Sequence, residues 1–392
     1  MYDAIVVGAR CAGAATALLL AESGHRVLMV DQARFPSDTM STRYIHQPGV
    51  ARLRDWGVLP VLLAAGCRPL TSLSSTVGSV TVCGPLPQYE GIGCALAPSR
   101  QVLDGSLAEA AEAAGVEFRS RTRLVDVLRR DGRVAGVRLR GPDRAMSKAW
   151  GRVVIGADGM RSTVADLCGA KQTSEDPRRT CVYYTGWRLS DGGADAGEDQ
   201  VRLVASQQSF LSVIPTQDAI SLIATYAPQS DFARIRVDPR RAHMDTIRML
   251  APDLHDRLRS LAPALPLAGS GDQRNFFREA SGGGWALVGD AGHHKDSITA
   301  RGITDAFLQA ELLARALAGR CGSDWAVDLA LAEFTRQRDG LLVESYTATL
   351  GAADLRVTDR RSAAHARIRD SAELTEAYLG VLAGMRSAEE LV

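Results

Sequence analysis

The 392-residue chain has almost no net charge, with 46 Lys plus Arg against 45 Asp plus Glu and a formal charge of +1. That balance gives no electrostatic footprint for nucleic acid or an anionic membrane surface, and neither is expected as a partner. Paired cysteines are also lacking. The seven present (Cys11, Cys67, Cys83, Cys94, Cys168, Cys181, Cys321) are odd in number and scattered, with no C-x-x-C pair. Neither a disulfide framework nor a zinc site is supported, so no metal is expected, and a reduced, cytoplasmic location fits best. No basic stretch precedes the apolar N-terminal run, and glycines break that run, so it reads as strand and helix rather than signal peptide or membrane span. No internal repeat is visible. What remains, 46% hydrophobic and 23% charged residues, is ordinary for a soluble globular protein, and the length suggests roughly two to three domains.

Ala4-Ile5-Val6-Val7 is a continuous apolar run, as expected of a strand buried on both faces. Gly8-Ala9-Arg10-Cys11-Ala12-Gly13 follows, then a small-residue helix from Ala14 to Ser23 ended by Gly24, then a strand Arg26–Val30 closing at Asp31. This is a βαβ unit. Gly8 permits the tight turn, Gly13 lets the helix pack closely on the strand, and the free N–H groups of the helix suit a pyrophosphate. Asp31 is placed to accept from a ribose hydroxyl. Arg10 stands where the dinucleotide fingerprint has its middle glycine, and either faces the phosphates or lies outward in solvent.

Ser99 caps a second helix with an apolar face of Leu103, Leu107, Ala110, Ala111 and Ala114, and with Arg100 in its first turn. Two β runs, Arg123–Leu128 and Val134–Leu139, join across Asp131-Gly132, a hairpin signal. Val153-Val154-Ile155 then leads into Gly156-Ala157-Asp158-Gly159-Met160-Arg161-Ser162. Trp285-Ala286-Leu287-Val288 leads into Gly289-Asp290-Ala291-Gly292, and Gly302 precedes a long helix, Thr304 to Gly319.

This ordered set resembles the group A flavoprotein monooxygenases, whose relatives include 4-hydroxybenzoate hydroxylase, the flavin-dependent halogenases and the geranylgeranyl reductases. The motifs span residues 5 to 305. The resemblance implies an α/β fold: a Rossmann-like FAD-binding fold with an inserted antiparallel β-sheet substrate domain and a C-terminal helical region. Residues 1–75, 98–170 and 276–320 are expected to form the FAD-binding domain, 76–97 and 171–275 the substrate domain, and 321–392 the helical region. FAD is the implied cofactor. By position, Gly8, Ala9 and Gly13 belong to the pyrophosphate turn and Asp31 to the ribose. Arg100 and Asp158, with Gly159 beside it, belong to the pyrophosphate and ribityl region, and Asp290 to a ribityl hydroxyl. The N–H groups of Gly302 and Ile303 lie against the pyrimidine edge of the flavin, where a helix N-terminus stabilises the negative charge of the reduced ring. Arg43 matches an arginine that many relatives use near the pyrophosphate. Relatives often read G-D-A-A-H-x-x-x-P-x-x-G-x-G-x-N; here Ser297 holds the proline position and Thr304 the asparagine position.

Between Lys171 and Asn275 come short β-rich runs, Thr180–Leu189, Val201–Ala205, Ser209–Pro215 and Ile220–Tyr226, followed by Arg- and Leu-rich helices from Pro239 to Leu261. This is the expected insert, an antiparallel sheet roofing the flavin. Gly192-Gly193-Ala194-Asp195-Ala196-Gly197 is expected to be a mobile loop. No second dinucleotide fingerprint is present, in agreement with an NAD(P)H that binds transiently as electron donor. The implied chemistry is reduction of FAD by NAD(P)H, capture of O2 as a flavin hydroperoxide, and oxygen transfer to a small aromatic or polyketide-like substrate. Candidate pocket residues are His46, Tyr184 and His293, with His294 adjoining the same motif; either they line the pocket or they pack the core. Tyr184 and Trp187 cannot share a face of one strand without a bulge. Halogenation is disfavoured, because no two of Trp56, Trp150, Trp187, Trp285 and Trp325 have the W-x-W spacing of the halogenases. Reduction of a prenyl C=C bond is the alternative reaction, and a non-catalytic flavin-binding protein the third reading.

Overall fold

The apolar run at the start of the chain forms the strand Tyr2–Val7, in which Ala4, Ile5, Val6 and Val7 are all buried. In the computed structural model, which describes residues 1–39, 41–189 and 199–391, this strand pairs in parallel with Val27–Val30 on one side and Met146–Gly156 on the other. Glu117–Arg119 and Trp285–Leu287 extend the sheet in parallel at either side. Cover on both faces explains why these segments are uniformly apolar rather than alternating. The hairpin Arg123–Arg130 and Arg133–Arg140 turns at Asp131 and Gly132, both at positive φ (51° and 81°), and joins the sheet through Met146–Gly156. Two central residues at positive φ match the twist of the flanking strands.

Three helices, Cys11–Glu22, Arg100–Ala113 and Gly302–Leu317, pack on one face through Leu18, Leu103, Leu107, Phe307 and Leu313. Close packing here depends on Gly13, where a Cβ would overlap the Gly8 carbonyl oxygen. Gly8 itself sits at φ 104° against the backbone of Ala157.

A second, seven-stranded sheet is ordered Ala268–Ser270, Thr180–Arg188, Ile220–Pro228, Ser209–Pro215, Gln200–Ser206, Ser72–Val77, Val80–Pro85. Its pairings are antiparallel except between Gln200–Ser206 and Ser72–Val77, which run in parallel. The expected boundary at 75/76 therefore cuts through a strand: Ser72–Val77 is hydrogen-bonded into the second sheet along its length. Thr180–Arg188 pairs with Ile220–Pro228 in unbroken register. Tyr184 accordingly faces Tyr226 and Ile298, while Trp187 faces the helices Pro239–Leu250 and Pro252–Leu258 on the other side. The expected loop at 192–197 lies outside the described residues.

The C-terminal third supplies helices Asp324–Ala353, Asp359–Arg369 and Ala372–Ala383. The first buries Val327, Leu331 and Phe334 in the core of the parallel-sheet layer. The other two cover the hairpin of the second sheet: His365 Nε2 lies 2.9 Å from the Ser75 carbonyl and Tyr378 bonds the Ser75 hydroxyl at 2.8 Å. The three helices thus bridge both sheets. No helix among the described residues is long and apolar enough to cross a membrane.

Candidate functional site

Two cavities meet between the sheets. The first is a groove of about 490 Å³ bordered by Gly8, Arg10, Asp31, Arg100, Asp158, Gly159, Asp290, Gly302 and Ile303. The second, of about 1030 Å³, lies between the inserted sheet and the helices Asp324–Ala353 and Ala372–Ala383, with largely aliphatic walls that include Leu73, Leu203, Ala352 and Leu382. Thr42, Tyr44, Ser297 and Ala300 border both.

Two helix N-termini at the groove are donors suited to an anionic group. Helix Cys11–Glu22 has Arg10 at its N-cap with no side-chain bond to the first turn, and Gly302–Leu317 has Arg301 there, likewise unbonded. Helices Arg100–Ala113, Thr163–Cys168, Asp324–Ala353, Asp359–Arg369 and Ala372–Ala383, by contrast, are capped by the side chains of Ser99, Ser162, Ser323, Thr358 and Ser371. The N–H groups left free at both groove-facing ends are donors for phosphate or for an electron-rich ring edge. Arg10 tolerates its place because its φ of −84° needs no glycine, and its guanidinium reaches along the groove to the Ser37 hydroxyl at 3.4 Å. Asp31 accepts from the N–H groups of Ala9 (2.9 Å) and Ala33 (2.8 Å), which fixes the turn and leaves further lone pairs on its carboxylate.

Arg100 is held by Asp104, one helical turn on and fully buried, at 2.9 and 3.0 Å. The Cys11 thiol donates to the same carboxylate at 3.1 Å. Asp104 is a positioning residue that sequence reasoning missed; its i,i+4 spacing from Arg100 on a buried face was the available signal. Asp158 borders the groove, but its carboxylate accepts from the Ser162 hydroxyl (2.5 Å) and the N–H groups of Thr163 and Val164, capping helix Thr163–Cys168. Burial raises its carboxyl above the ordinary range while those donors oppose the shift. Asp290 is exposed on a short turn beside Gly289 at φ 59°.

Some expected residues lie elsewhere. Arg43 is not on the groove wall: it sits at φ 64°, buried, with its guanidinium paired to Asp38 at 3.3 Å. Ala9 and Gly13 act behind the wall, through the Asp31 bond and helix packing. His293 borders neither cavity. Its ring packs between Phe277 and Tyr346, while His294, pointing the other way from the same short strand, borders the groove. Tyr184 does border the groove, and its hydroxyl makes no well-formed hydrogen bond among the described residues.

His46 borders the larger cavity, its Nε2 donating to the Thr299 carbonyl at 3.1 Å. Its backbone N–H donates to the Thr304 hydroxyl at 3.1 Å, so the threonine in the asparagine position ties helix Gly302–Leu317 to this segment. Burial first, and then the nearby Arg301 charge, lower the His46 pKa to about 3. Burial likewise lowers His243 to about 4 and His293 to about 3. All three are neutral at physiological pH, so His46 holds the loop in place rather than carrying a charge. The consequence for stability has a definite sign. Folded values below the unfolded value of about 6.5 mean that the unfolded chain takes up more protons, so stability is lost as pH falls below about 6.5 towards 4. Each histidine contributes up to about 1.4 kcal/mol per pH unit in that window. Urea unfolding at pH 7 and pH 5 checks this, and His243→Gln is expected to flatten the slope; equal stability at the two pH values contradicts it.

Sequence reasoning missed a buried ionic cluster at the first turn of helix Gly302–Leu317. Lys295 Nζ lies 2.7 Å from Asp305 Oδ2, and Arg301 Nε lies 3.5 Å from Asp305 Oδ1. Burial works against the Asp305 carboxylate, but Lys295 and Arg301 outweigh it and hold the pKa at about 2. At the junction of the cavities, the Ser297 hydroxyl receives the Gln273 amide at 2.7 Å and meets the Tyr226 hydroxyl at 3.0 Å.

Comparison with known proteins bears on the family and the fold. The FAD binding domain family model matches residues 1–340. A digeranylgeranylglycerophospholipid reductase of Methanocella arvoryzae is 24% identical over 326 residues, covering 78% of this chain and 74% of that protein. Among solved structures, the flavin-dependent brominase Bmp2 superposes with a TM-score of 0.84 at 16% identity, covering 98% of this chain and 93% of the other. A probable FAD-dependent monooxygenase from Pseudomonas aeruginosa superposes with a TM-score of 0.78 at 21% identity, covering 93% and 99%. At these identities the two structures establish the fold.

Proposed function

The chain belongs to the FAD binding domain family and is an FAD-dependent oxidoreductase, and on that premise we propose that it is a monooxygenase that uses NAD(P)H and O2 to oxygenate a small aromatic or polyketide-like substrate. The observation that carries the reading is the junction of the groove with a wide, mostly aliphatic cavity at Thr42, Tyr44, Ser297 and Ala300. When bound, FAD would supply the redox chemistry. The chain's own residues do the rest. The free N–H groups after Arg10 would hold the pyrophosphate, with Arg100, set by Asp104, as a further cation for it. Gly302 and Ile303, in the first turn of an uncapped helix, would offer N–H groups to the ring. Aliphatic walls exclude water from the reacting partners. Ser297, held by Gln273 and Tyr226, is the hydroxyl placed to move a proton across the junction.

Reduction of a prenyl double bond is the second reading, favoured by the name of the Methanocella relative. Oxygen separates the two. Consumption of NAD(P)H that needs O2 and rises with small aromatic substrates supports the monooxygenase. Saturation of a prenyl substrate by the reduced protein without oxygen supports the reductase and overturns the first reading.

A further inference from the structure

We propose that Arg301 anchors a carboxylate carried on an otherwise apolar substrate, so that the larger cavity selects organic acids over neutral molecules of the same shape. The assignment rests on the reading of that cavity as the substrate site. Arg301 immediately precedes the flavin helix, yet it borders the aliphatic cavity and not the groove. Its side chain is 9% exposed. Its guanidinium lies against Gly384, the left-handed residue that ends helix Ala372–Ala383, where any Cβ would overlap it.

Among the described residues this guanidinium makes no hydrogen bond, and its one charged contact is the 3.5 Å approach of Nε to Asp305. Asp305 is already engaged by Lys295 at 2.7 Å. One buried carboxylate therefore serves two buried cations; the exposed Asp290 attracts Lys295 from beyond ion-pair distance, and Arg301 has no carboxylate of its own within hydrogen-bonded reach. The other carboxylates on the cavity wall, Glu344 and Glu389, are exposed and form no ion pair with Arg301. A buried charge is costly unless it is paired and hydrogen-bonded. A ligand carboxylate supplies both, because the guanidinium fork matches its two oxygens. Its apolar body would then lie along the aliphatic wall, within reach of the junction at Ser297.

Calorimetric titration of the FAD-loaded protein with 2-naphthoate, 2-naphthamide and 2-naphthyl phosphate tests this. The carboxylate is expected to bind at least tenfold more tightly than the amide, and Arg301→Gln is expected to abolish that preference. Arg386→Gln, at the exposed side of the cavity, should keep it. If Arg301→Gln does not fold, Arg301→Lys should retain the preference in weakened form. Equal affinities for acid and amide, no binding of either, a preference that survives Arg301→Gln, or the phosphate binding more tightly than the carboxylate each overturn the assignment. Titration needs no turnover. A protein that prefers the acid but never consumes oxygen refutes the monooxygenase and leaves the anion site standing.

Discussion

Gly13→Ala is expected to yield a protein that loses FAD on purification, with affinity lowered by about 100-fold, or about 2.7 kcal/mol. The cause is contact with backbone. A Cβ at Gly13 overlaps the Gly8 carbonyl oxygen and presses on the Ala157 side chain, so neither neighbour can yield by changing rotamer. The helix Cys11–Glu22 must lift away from the strand Tyr2–Val7, carrying with it the free N–H groups that face the groove. A shift of about an ångström is enough to undo hydrogen bonds that need donor–acceptor distances near 2.9 Å. Gly340→Ala is the contrasting substitution. That glycine lies inside helix Asp324–Ala353 with nothing within 4 Å of an added Cβ, and the change should stabilise by about 0.5–1 kcal/mol without touching FAD retention. Flavin absorbance per protein after gel filtration reads both. Full retention of FAD by Gly13→Ala contradicts the packing argument.

Asp305→Asn is expected to destabilise the protein by about 3–5 kcal/mol, the cost of removing one partner from a buried ion pair. The amide fills the same volume but cannot neutralise Lys295 at 2.7 Å or Arg301 at 3.5 Å, with the Lys295 and Asp305 side chains only 4% and 3% exposed. The paired replacement Lys295→Met with Asp305→Leu should be milder than Asp305→Leu alone, because it leaves only Arg301 charged. Denaturant unfolding of these variants measures the differences. Additive losses in the double variant mean that the two residues do not interact.

Much of this architecture was legible before any coordinates. Uniformly apolar runs at 4–7, 153–155 and 285–288 mark strands covered on both faces, and all three lie in the parallel sheet. The strands of the insert were legible for the opposite reason, short β-branched runs between turn residues. The boundary at 75/76 cuts a strand because Ser-Leu-Ser-Ser-Thr-Val is too polar to announce one, and its pairing with Val80–Pro85 and Gln200–Ser206 defines it. Residues expected from motifs that fix the backbone, Gly8, Gly302 and Ile303, do border the groove. The site was not legible where side-chain direction decides. His293 and His294 are adjacent on one strand and must face opposite ways, and nothing local says which enters the groove. Arg43 adopts a left-handed conformation that turns its side chain to Asp38. Lys295 meets Asp305 only through the tertiary fold, although the i,i+4 spacing of Arg301 and Asp305 was visible.

A crystal structure of the FAD-reconstituted protein tests the central claim most directly. The account predicts the pyrophosphate at the N–H groups that follow Arg10, and the flavin ring bordered by Ser297, Ala300, Gly302 and Ile303 where the two cavities meet. A protein that takes up no FAD, or one that binds it with the ring away from that junction, contradicts it.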